Sequence, residues 1–94
     1  MTRNGGGETG RYRVSALTDR DGALLLRVIA CLGRHCIEIE SFRCETPSGT
    51  AAFEHEFIVR AGADRIRRAA KQIGASVGVE RVDYCSIENG VTGR

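Results

Sequence analysis

The spacing between apolar residues changes along this chain, from every second residue to every third or fourth. The order of these changes restricts the fold more than any other feature of the sequence. Alternating apolar and polar residues predict strands, and apolar residues at i, i+3, i+4 and i+7 predict helices. The predicted strands cover about residues 11–18, 37–46, 51–60 and 77–87, and the predicted helices about residues 23–34 and 64–73. This β-α-β-β-α-β order predicts an α+β ferredoxin-like sandwich, a four-stranded antiparallel sheet with two helices on one face.

The ends and faces of the two helices carry recognisable signals. Asp21 is expected to cap the first helix and Asp64 the second, which Gly74 should end. The first helix is expected to bury a stripe of Leu25, Val28, Ile29 and Leu32, flanked by Leu24 and Cys31. The second is expected to bury Ile66, Ala69, Ala70 and Ile73. Leu26 lies off the first stripe, and we expect a second chain to cover it.

Length and charge limit the class of protein. A chain of 94 residues forms one domain, expected at residues 11–88 between a flexible arm (1–10) and a flexible tail (89–94). The net charge of +2 is too balanced to require nucleic acid or an anionic membrane. No apolar run reaches the roughly 18 residues of a membrane span. The first ten residues lack the apolar core of a signal peptide, so we expect a cytoplasmic protein.

The cysteines and histidines do not indicate a metal site or an enzyme. The four cysteines lie in apolar runs and are expected to be reduced and mostly packed: Cys31, Cys36, Cys44 and Cys85. They lack the paired spacing of zinc sites, so neither metal nor cofactor is expected. His35 and His55 lie in different elements. His55 falls between Phe53 and Phe57, which favours a hydrogen-bonded core or interface histidine over a general base.

Two surfaces leave alternatives open. RNA-binding versions of this fold expose aromatic residues on the central strands, whereas Glu54 and Glu56 lie opposite the phenylalanines here and would repel phosphate. The second helix has a basic outer face made of Arg65, Arg67, Arg68 and Lys71. This face is either simply solvated or a docking surface for a protein partner.

The "DRDG" loop at residues 19–22 is the other candidate site. It precedes the first helix, whose free amides can bind a carboxylate, while Asp19 or Asp21 could pair with an ammonium group. That combination describes an amino-acid site. The alternative is a common one: an Asp-Gly turn that caps a helix without binding any ligand.

Two further stretches resemble ACT domains, and more narrowly the small regulatory subunit of acetohydroxyacid synthase (acetolactate synthase). That family has a stretch like RVIGLFSQRGYNIESL, and this chain has RVIACLGRHCIEIESF at residues 27–42, aligned without a gap. The family's second helix reads like KQLNKLVDVLKV, against KQIGASVGVERV at residues 71–82. Both stretches lie within residues 12–82, and the chain looks most like the short, single-ACT form.

The resemblance implies a non-catalytic subunit that forms a homodimer and binds and activates the thiamine-diphosphate-dependent catalytic subunit. Many members also confer feedback inhibition by valine or another branched-chain amino acid. We expect the catalytic subunit to dock on the basic helix face at Arg65, Arg68 and Lys71. The alternative is a free-standing ACT amino-acid sensor that acts on another enzyme or on transcription.

In that family the effector lies at the dimer interface, between the loop before the first helix of one protomer and the start of the second strand of its neighbour. The matching residues here are Asp19, Arg20, Asp21, Gly22, Ala23 and Leu24, and Cys36, Ile37 and Glu38. The family loop reads like N-x-x-G-x-L-x-R. Here Asp19 or Asp21 replaces the asparagine, Gly22 lies one residue early and Ala23 takes the glycine position. Cys36 and Glu38 replace a glycine and an asparagine.

These departures predict weak or absent valine feedback. Carboxylates at Asp21 and Glu38 repel the carboxylate of an effector unless each meets an ammonium group or an arginine. The Cβ of Ala23 narrows the close backbone approach that glycine allows.

Overall fold

Four strands and two helices make up the computed structural model, which describes residues 9–49 and 51–87. The elements are β1 (Thr9–Asp19), α1 (Gly22–Arg34), β2 (Glu38–Glu45), β3 (Ala52–Gly62), α2 (Ala63–Gly74) and β4 (Val79–Ser86). Neighbouring strands are antiparallel in the order β2-β3-β1-β4, which leaves β2 and β4 as the edges. The predicted ferredoxin-like βαββαβ sandwich is confirmed.

The predicted terminal segments fall mainly outside the described residues. The first strand begins at Thr9, two residues before the predicted start. The rest of the expected arm, residues 1–8, and the expected tail, residues 89–94, lie outside the part of the chain that the structure describes.

The core lies between one face of the sheet and the two helices. In the β1–β3 register Val14 lies opposite Phe57 and Tyr12 opposite Val59, so alternate residues of both strands point to the helices. The cluster also includes Val28 and Leu32 from α1 and Ile66, Ala69 and Ile73 from α2. Helix α1 contacts β2, and helix α2 contacts β4. Helix α1 therefore lies toward the β2 edge of the sheet and α2 toward the β4 edge.

The predicted stripe of α2 is confirmed, but that of α1 is rotated. All four predicted α2 residues are buried. In α1 the buried residues are Leu24, Val28, Cys31 and Leu32, while Leu25 is half-buried and Ile29 is 36% exposed. The prediction for Ile29 was therefore wrong. The rotation follows from packing between the helices, because the Cys31 thiol points at α2 and donates to the Ala69 carbonyl at 3.8 Å.

One of the two predicted caps is correct. The Asp21 carboxylate accepts from the Ala23 amide at 2.9 Å, and Asp21 has the extended backbone of a capping residue. Asp64 was predicted to cap α2, which is wrong: Gly62 precedes that helix, and Asp64 lies in its first turn, 3.0 Å from Arg67. Strand β3 runs directly into α2, so no loop residue is available as a side-chain cap. Gly74 is the last residue of α2, and Ala75 caps it.

Three of the four cysteines are exposed, which corrects the prediction that most are packed. All four are free thiols, and only Cys31 is buried. Cys36 lies in the turn after α1, while Cys44 and Cys85 lie on the edge strands β2 and β4, where little covers them. Neither helix in the described part of the chain has the length and apolar character needed to cross a membrane.

Candidate functional site

The predicted effector loop (residues 19–24) is held by backbone hydrogen bonds from its own residues and from the turn before β4. The amide of Asp19 donates to the Gly78 carbonyl at 2.8 Å, and the amide of Asp21 donates to the Asp19 carbonyl at 2.8 Å. Arg20 lies above the Phe53 ring, with its guanidinium carbon 5.4 Å from the ring centre. Such a cation–π contact stabilises an exposed arginine modestly and orients it along the sheet.

Asp21 already uses amides that an effector carboxylate would need. Its side chain accepts from the Ala23 amide at 2.9 Å, and its carbonyl accepts from the Leu24 amide at 2.9 Å. Leu24 is also buried, at 4% exposure. A carboxylate at this helix start would have to displace Asp21 and tolerate its negative charge. Among the two readings of the loop, this geometry favours the capping turn.

A buried hydrogen bond between Thr18 and His55 lies directly under the loop. The Thr18 hydroxyl donates its one proton to the Asp19 carbonyl at 2.9 Å, so it accepts from Nε2 of His55 at 3.0 Å. Nδ1 of His55 is therefore the unprotonated nitrogen, and it is buried without a partner in the described structure. Burial lowers the pKa of His55.

The prediction of a hydrogen-bonded core histidine is confirmed, since His55 is fully buried. Its partner Thr18 is a residue that the sequence did not single out. The signal was present, because Thr18 continues the buried face of β1 that contains Val14 and Ala16. A hydroxyl on an apolar strand face requires a polar neighbour in the core. His55 thus connects β3 to the end of β1 by a hydrogen bond, next to the start of the effector loop.

The second half of the predicted effector site is the turn after α1 (residues 36–38). The Cys36 amide donates to the Gly33 carbonyl at 2.9 Å, and the Ile37 amide donates to the Leu32 carbonyl at 3.0 Å. This pair of bonds is the Schellman arrangement, whose penultimate position favours glycine because it needs a left-handed backbone. Cys36 occupies that position with φ of 57°. Ile37 is buried and Glu38 is exposed at the start of β2.

Replacing Cys36 with glycine should therefore stabilise the protein. Left-handed backbone costs a residue with a Cβ about 1–2 kcal/mol, and the greater freedom of glycine in the unfolded chain offsets part of this gain. We expect C36G to raise the free energy of unfolding by about 1 kcal/mol in urea titrations. The control C36A removes the thiol but keeps the Cβ. If C36A is as stable as C36G, the backbone explanation is wrong.

The two halves of the predicted effector site do not meet within one chain. The loop lies at the start of α1 and the turn at its end, and this helix has 13 residues. At about 1.5 Å per residue, the halves are roughly 20 Å apart along the helix. A site made of both halves would require a second protomer, as the family resemblance implies.

The basic face of α2 is exposed, as predicted, but its four cations differ in their contacts. Arg67 pairs with Asp64, and Arg65 donates to the His35 carbonyl at the end of α1 at 3.3 Å. Arg68 and Lys71 make no ion pair within the described residues. They are therefore the cations most available to an acidic partner.

The face of the sheet away from the helices has a different electrostatic character. Glu40 lies 3.0 Å from both Arg11 and Arg60, and hydrogen bonding to Arg60 is the main reason that the pKa of Glu40 is lowered. Glu56 pairs in the same way with Arg13 and Arg43. Carboxylates thus occupy the surface where RNA-binding versions of the fold present aromatic rings. Within the described residues, no cluster of three or more His, Cys, Asp or Glu side chains could hold a metal ion.

Comparison with solved structures places this architecture among known folds. No protein-family model and no curated protein matches the chain. The ACT domain from GTP pyrophosphokinase of Chlorobium tepidum matches with a TM-score of 0.70 over 83% of this chain and 100% of that domain, at 8% identity. The fold is ACT-like.

Other solved proteins contain a unit with a similar fold. The acetolactate synthase small subunit from Thermotoga maritima has a TM-score of 0.68 and 19% identity, over 84% of this chain and 48% of that one. A homoserine dehydrogenase from Thiobacillus denitrificans has a TM-score of 0.73 and 16% identity, over 86% of this chain and 18% of that one. This ACT-like chain thus spans about half of the small subunit and about a fifth of the dehydrogenase. Identities this low show a shared fold and nothing further.

Proposed function

We propose that this protein is a non-catalytic regulatory subunit that binds and activates the catalytic subunit of acetohydroxyacid synthase in the cytoplasm. The observation that carries the proposal is the ungapped resemblance over residues 27–42, which run from α1 through its end turn into β2. Cys36 keeps the left-handed backbone, with φ of 57°, at the position where the family has glycine. Glycine, the residue that the family has at this position, suits the same left-handed backbone.

In this proposal the two protomers of the homodimer contact each other at the sheet edge formed by β2. Leu26 is 67% exposed and Ile29 36% exposed, and Phe42 on β2 is 43% exposed beside the buried ring of Phe57. Arg27 faces α2. Ile29 lies roughly 160° around the axis of α1 from Arg27, so Ile29 points away from α2. We call these three residues the β2-edge patch. An edge strand with unpaired backbone groups beside an apolar patch is suited to pairing with a second copy.

Placing a charge in this patch should break the homodimer. Leu26→Asp removes an apolar contact and buries a carboxylate, so we expect the dimer Kd to rise at least about tenfold in sedimentation experiments. The matched control is Val77→Asp, because Val77 is 88% exposed in the turn before β4 at the other edge of the sheet. Dimerisation that is weakened equally by both variants, or by neither, would argue against the β2-edge patch.

The catalytic subunit of this proposal docks on α2. The face offers Arg68 and Lys71, one turn apart and without intramolecular ion pairs in the described structure. Arg65 is a weaker candidate than the sequence indicated, because its guanidinium already binds the His35 carbonyl. Exposed cations of this kind steer association with an acidic surface and contribute part of its affinity.

The docking proposal is tested with the catalytic subunit encoded in the same genome. Neutralising both cations in R68Q/K71Q should weaken the complex about tenfold, measured by calorimetry or a sizing column. The control R43Q/R81Q removes two cations that are exposed on the opposite, sheet face of the molecule. An unchanged affinity of R68Q/K71Q, with both variants folded, would exclude α2 as the docking face.

The effector part of the proposal is weak or absent feedback by valine. Asp21 occupies the first amides of α1, and Glu38 adds an exposed carboxylate to the other half of the site. Both features oppose binding of an amino-acid carboxylate. Calorimetry that detects tight valine binding to the dimer would contradict this part without affecting the subunit role.

A free-standing amino-acid sensor is the second candidate function. The observation in its favour is that a similar fold also occurs in a GTP pyrophosphokinase and in a homoserine dehydrogenase, with TM-scores of 0.70 and 0.73 against 0.68 for the small subunit. A sensor would bind its effector tightly at the dimer interface and form no complex with a thiamine-diphosphate enzyme.

A further inference from the structure

A cavity of about 230 Å³ lies between α1, α2 and the start of β4; it shares only Leu24 with the effector loop and no residue with the β2-edge patch. Its apolar lining comes from Leu24, Val28, Ala30, Cys31, Ile73 and Val79. Its polar lining comes from Arg27, Arg34, Gln72 and Ser76. The cavity is smaller than the roughly 300–1,000 Å³ typical of sites for drug-sized ligands, so it suits a smaller molecule.

The polar groups of this interhelix cavity are mainly donors. The Gln72 carbonyl oxygen lies 2.8 Å from Nε2 of His35, from which it accepts, and 3.6 Å from the sulfur of Cys31, whose single thiol proton it shares with the Ala69 carbonyl. This fixes the orientation of the side-chain amide and leaves its N–H groups as the atoms that can serve a ligand. Arg27 and Arg34, two turns apart on α1, have no carboxylate partner within the described residues.

The cavity lining also contains no negative charge. None of the ten lining residues is Asp or Glu. Burial raises the pKa of the Cys31 thiol, so the sulfur stays uncharged at neutral pH and does not repel an anion. A carboxylate is therefore matched by two guanidinium groups and an amide, whereas an ammonium group finds no counter-ion here.

We propose that the interhelix cavity binds a short-chain aliphatic monocarboxylate that lacks an amino group. The carboxylate lies between Arg27 and Arg34, and the aliphatic body packs on the side chains of Val28, Cys31 and Ile73. Apart from Leu24, this site is made of residues outside the effector loop, and it offers guanidinium groups where the loop offers carboxylates. The proposal does not depend on the regulatory-subunit role.

The test is a titration of the ¹⁵N-labelled full chain with 4-methylpentanoate, followed by amide chemical shifts. Leucine serves as the matched ligand, because it differs from 4-methylpentanoate only by its amino group. We expect saturable shifts at Val28, Cys31, Gln72 and Ser76, with at least tenfold weaker binding of leucine. The variant R27Q/R34Q should bind 4-methylpentanoate at least about tenfold more weakly. The control R43Q/R81Q should bind it as the unmodified chain does.

Three results would overturn the proposal. The first is the absence of saturable shifts at the cavity with 4-methylpentanoate. The second is equal affinity for leucine, which would mean that the cavity tolerates an ammonium group. The third is unchanged binding by a folded R27Q/R34Q variant, which would place the carboxylate elsewhere.

Discussion

Gly78→Ala is expected to lower the free energy of unfolding by about 2–4 kcal/mol, combining the costs of a left-handed backbone and of overpacking. Gly78 has φ of 93°, and an added Cβ would lie 2.8 Å from Cδ1 of Leu24. Leu24 is only 4% exposed and lines the interhelix cavity, so relief of this contact requires its side chain to shift within the core toward that cavity. Since the Gly78 carbonyl accepts from the Asp19 amide, we also expect faster hydrogen exchange at Asp19 in this variant.

Gly49→Ala is the matched control for this effect. Gly49 also has a left-handed backbone, with φ of 76°, but its added Cβ would meet nothing within 4 Å. Urea titrations of the two variants separate the steric contribution at Leu24 from the backbone contribution that both share. If G78A is no less stable than G49A, the turn before β4 does not pack tightly on the start of α1.

Acid is expected to destabilise the fold through His55. The folded-state pKa of His55 is lowered, so below its unfolded pKa of about 6.5 the unfolded chain binds a proton that the folded chain excludes. The contribution of His55 to the free energy of unfolding is fully present above pH 6.5. It falls as the pH drops from there toward the folded-state pKa. The slope for one proton is at most about 1.4 kcal/mol per pH unit.

This pH dependence can be assigned to one histidine by substitution. We expect His55→Gln to flatten the loss of stability between pH 7 and pH 5.5, because glutamine can donate to Thr18 and does not titrate. His35→Gln is the comparison variant, because His35 is the other histidine of the chain and lies at the end of α1, and the loss should remain in this variant. Denaturant unfolding at each pH provides the measurement. A slope that disappears in H35Q and persists in H55Q would refute the assignment.

The element order and the core face of α2 could be predicted from sequence because they depend on local periodicity. Ile66, Ala69, Ala70 and Ile73 form one stripe whose width matches the surface that it covers. The core face of α1 could not be predicted as well, because leucine, valine and isoleucine cover most of its circumference. The choice between Ile29 and Cys31 was decided by contact with α2, which is remote in sequence.

The candidate site was predictable only in part, for a similar reason. Asp21 as a cap follows from its position before a helix, and the structure agrees. The bond between Thr18 and His55 joins residues 37 positions apart and depends on the β1–β3 register. The interhelix cavity likewise depends on how α1 and α2 approach each other. Neither the Thr18–His55 hydrogen bond nor the cavity can be predicted from the local pattern of apolar and polar residues.

Acetolactate formation by the catalytic subunit is the decisive measurement of the proposed regulatory role. The catalytic subunit encoded in the same genome is assayed alone, with this protein, and with this protein plus valine. Activation by a regulatory subunit predicts a several-fold rise in rate on addition of the protein and little or no inhibition by valine. An unchanged rate, together with no complex on a sizing column, would contradict the claim and favour the free-standing sensor.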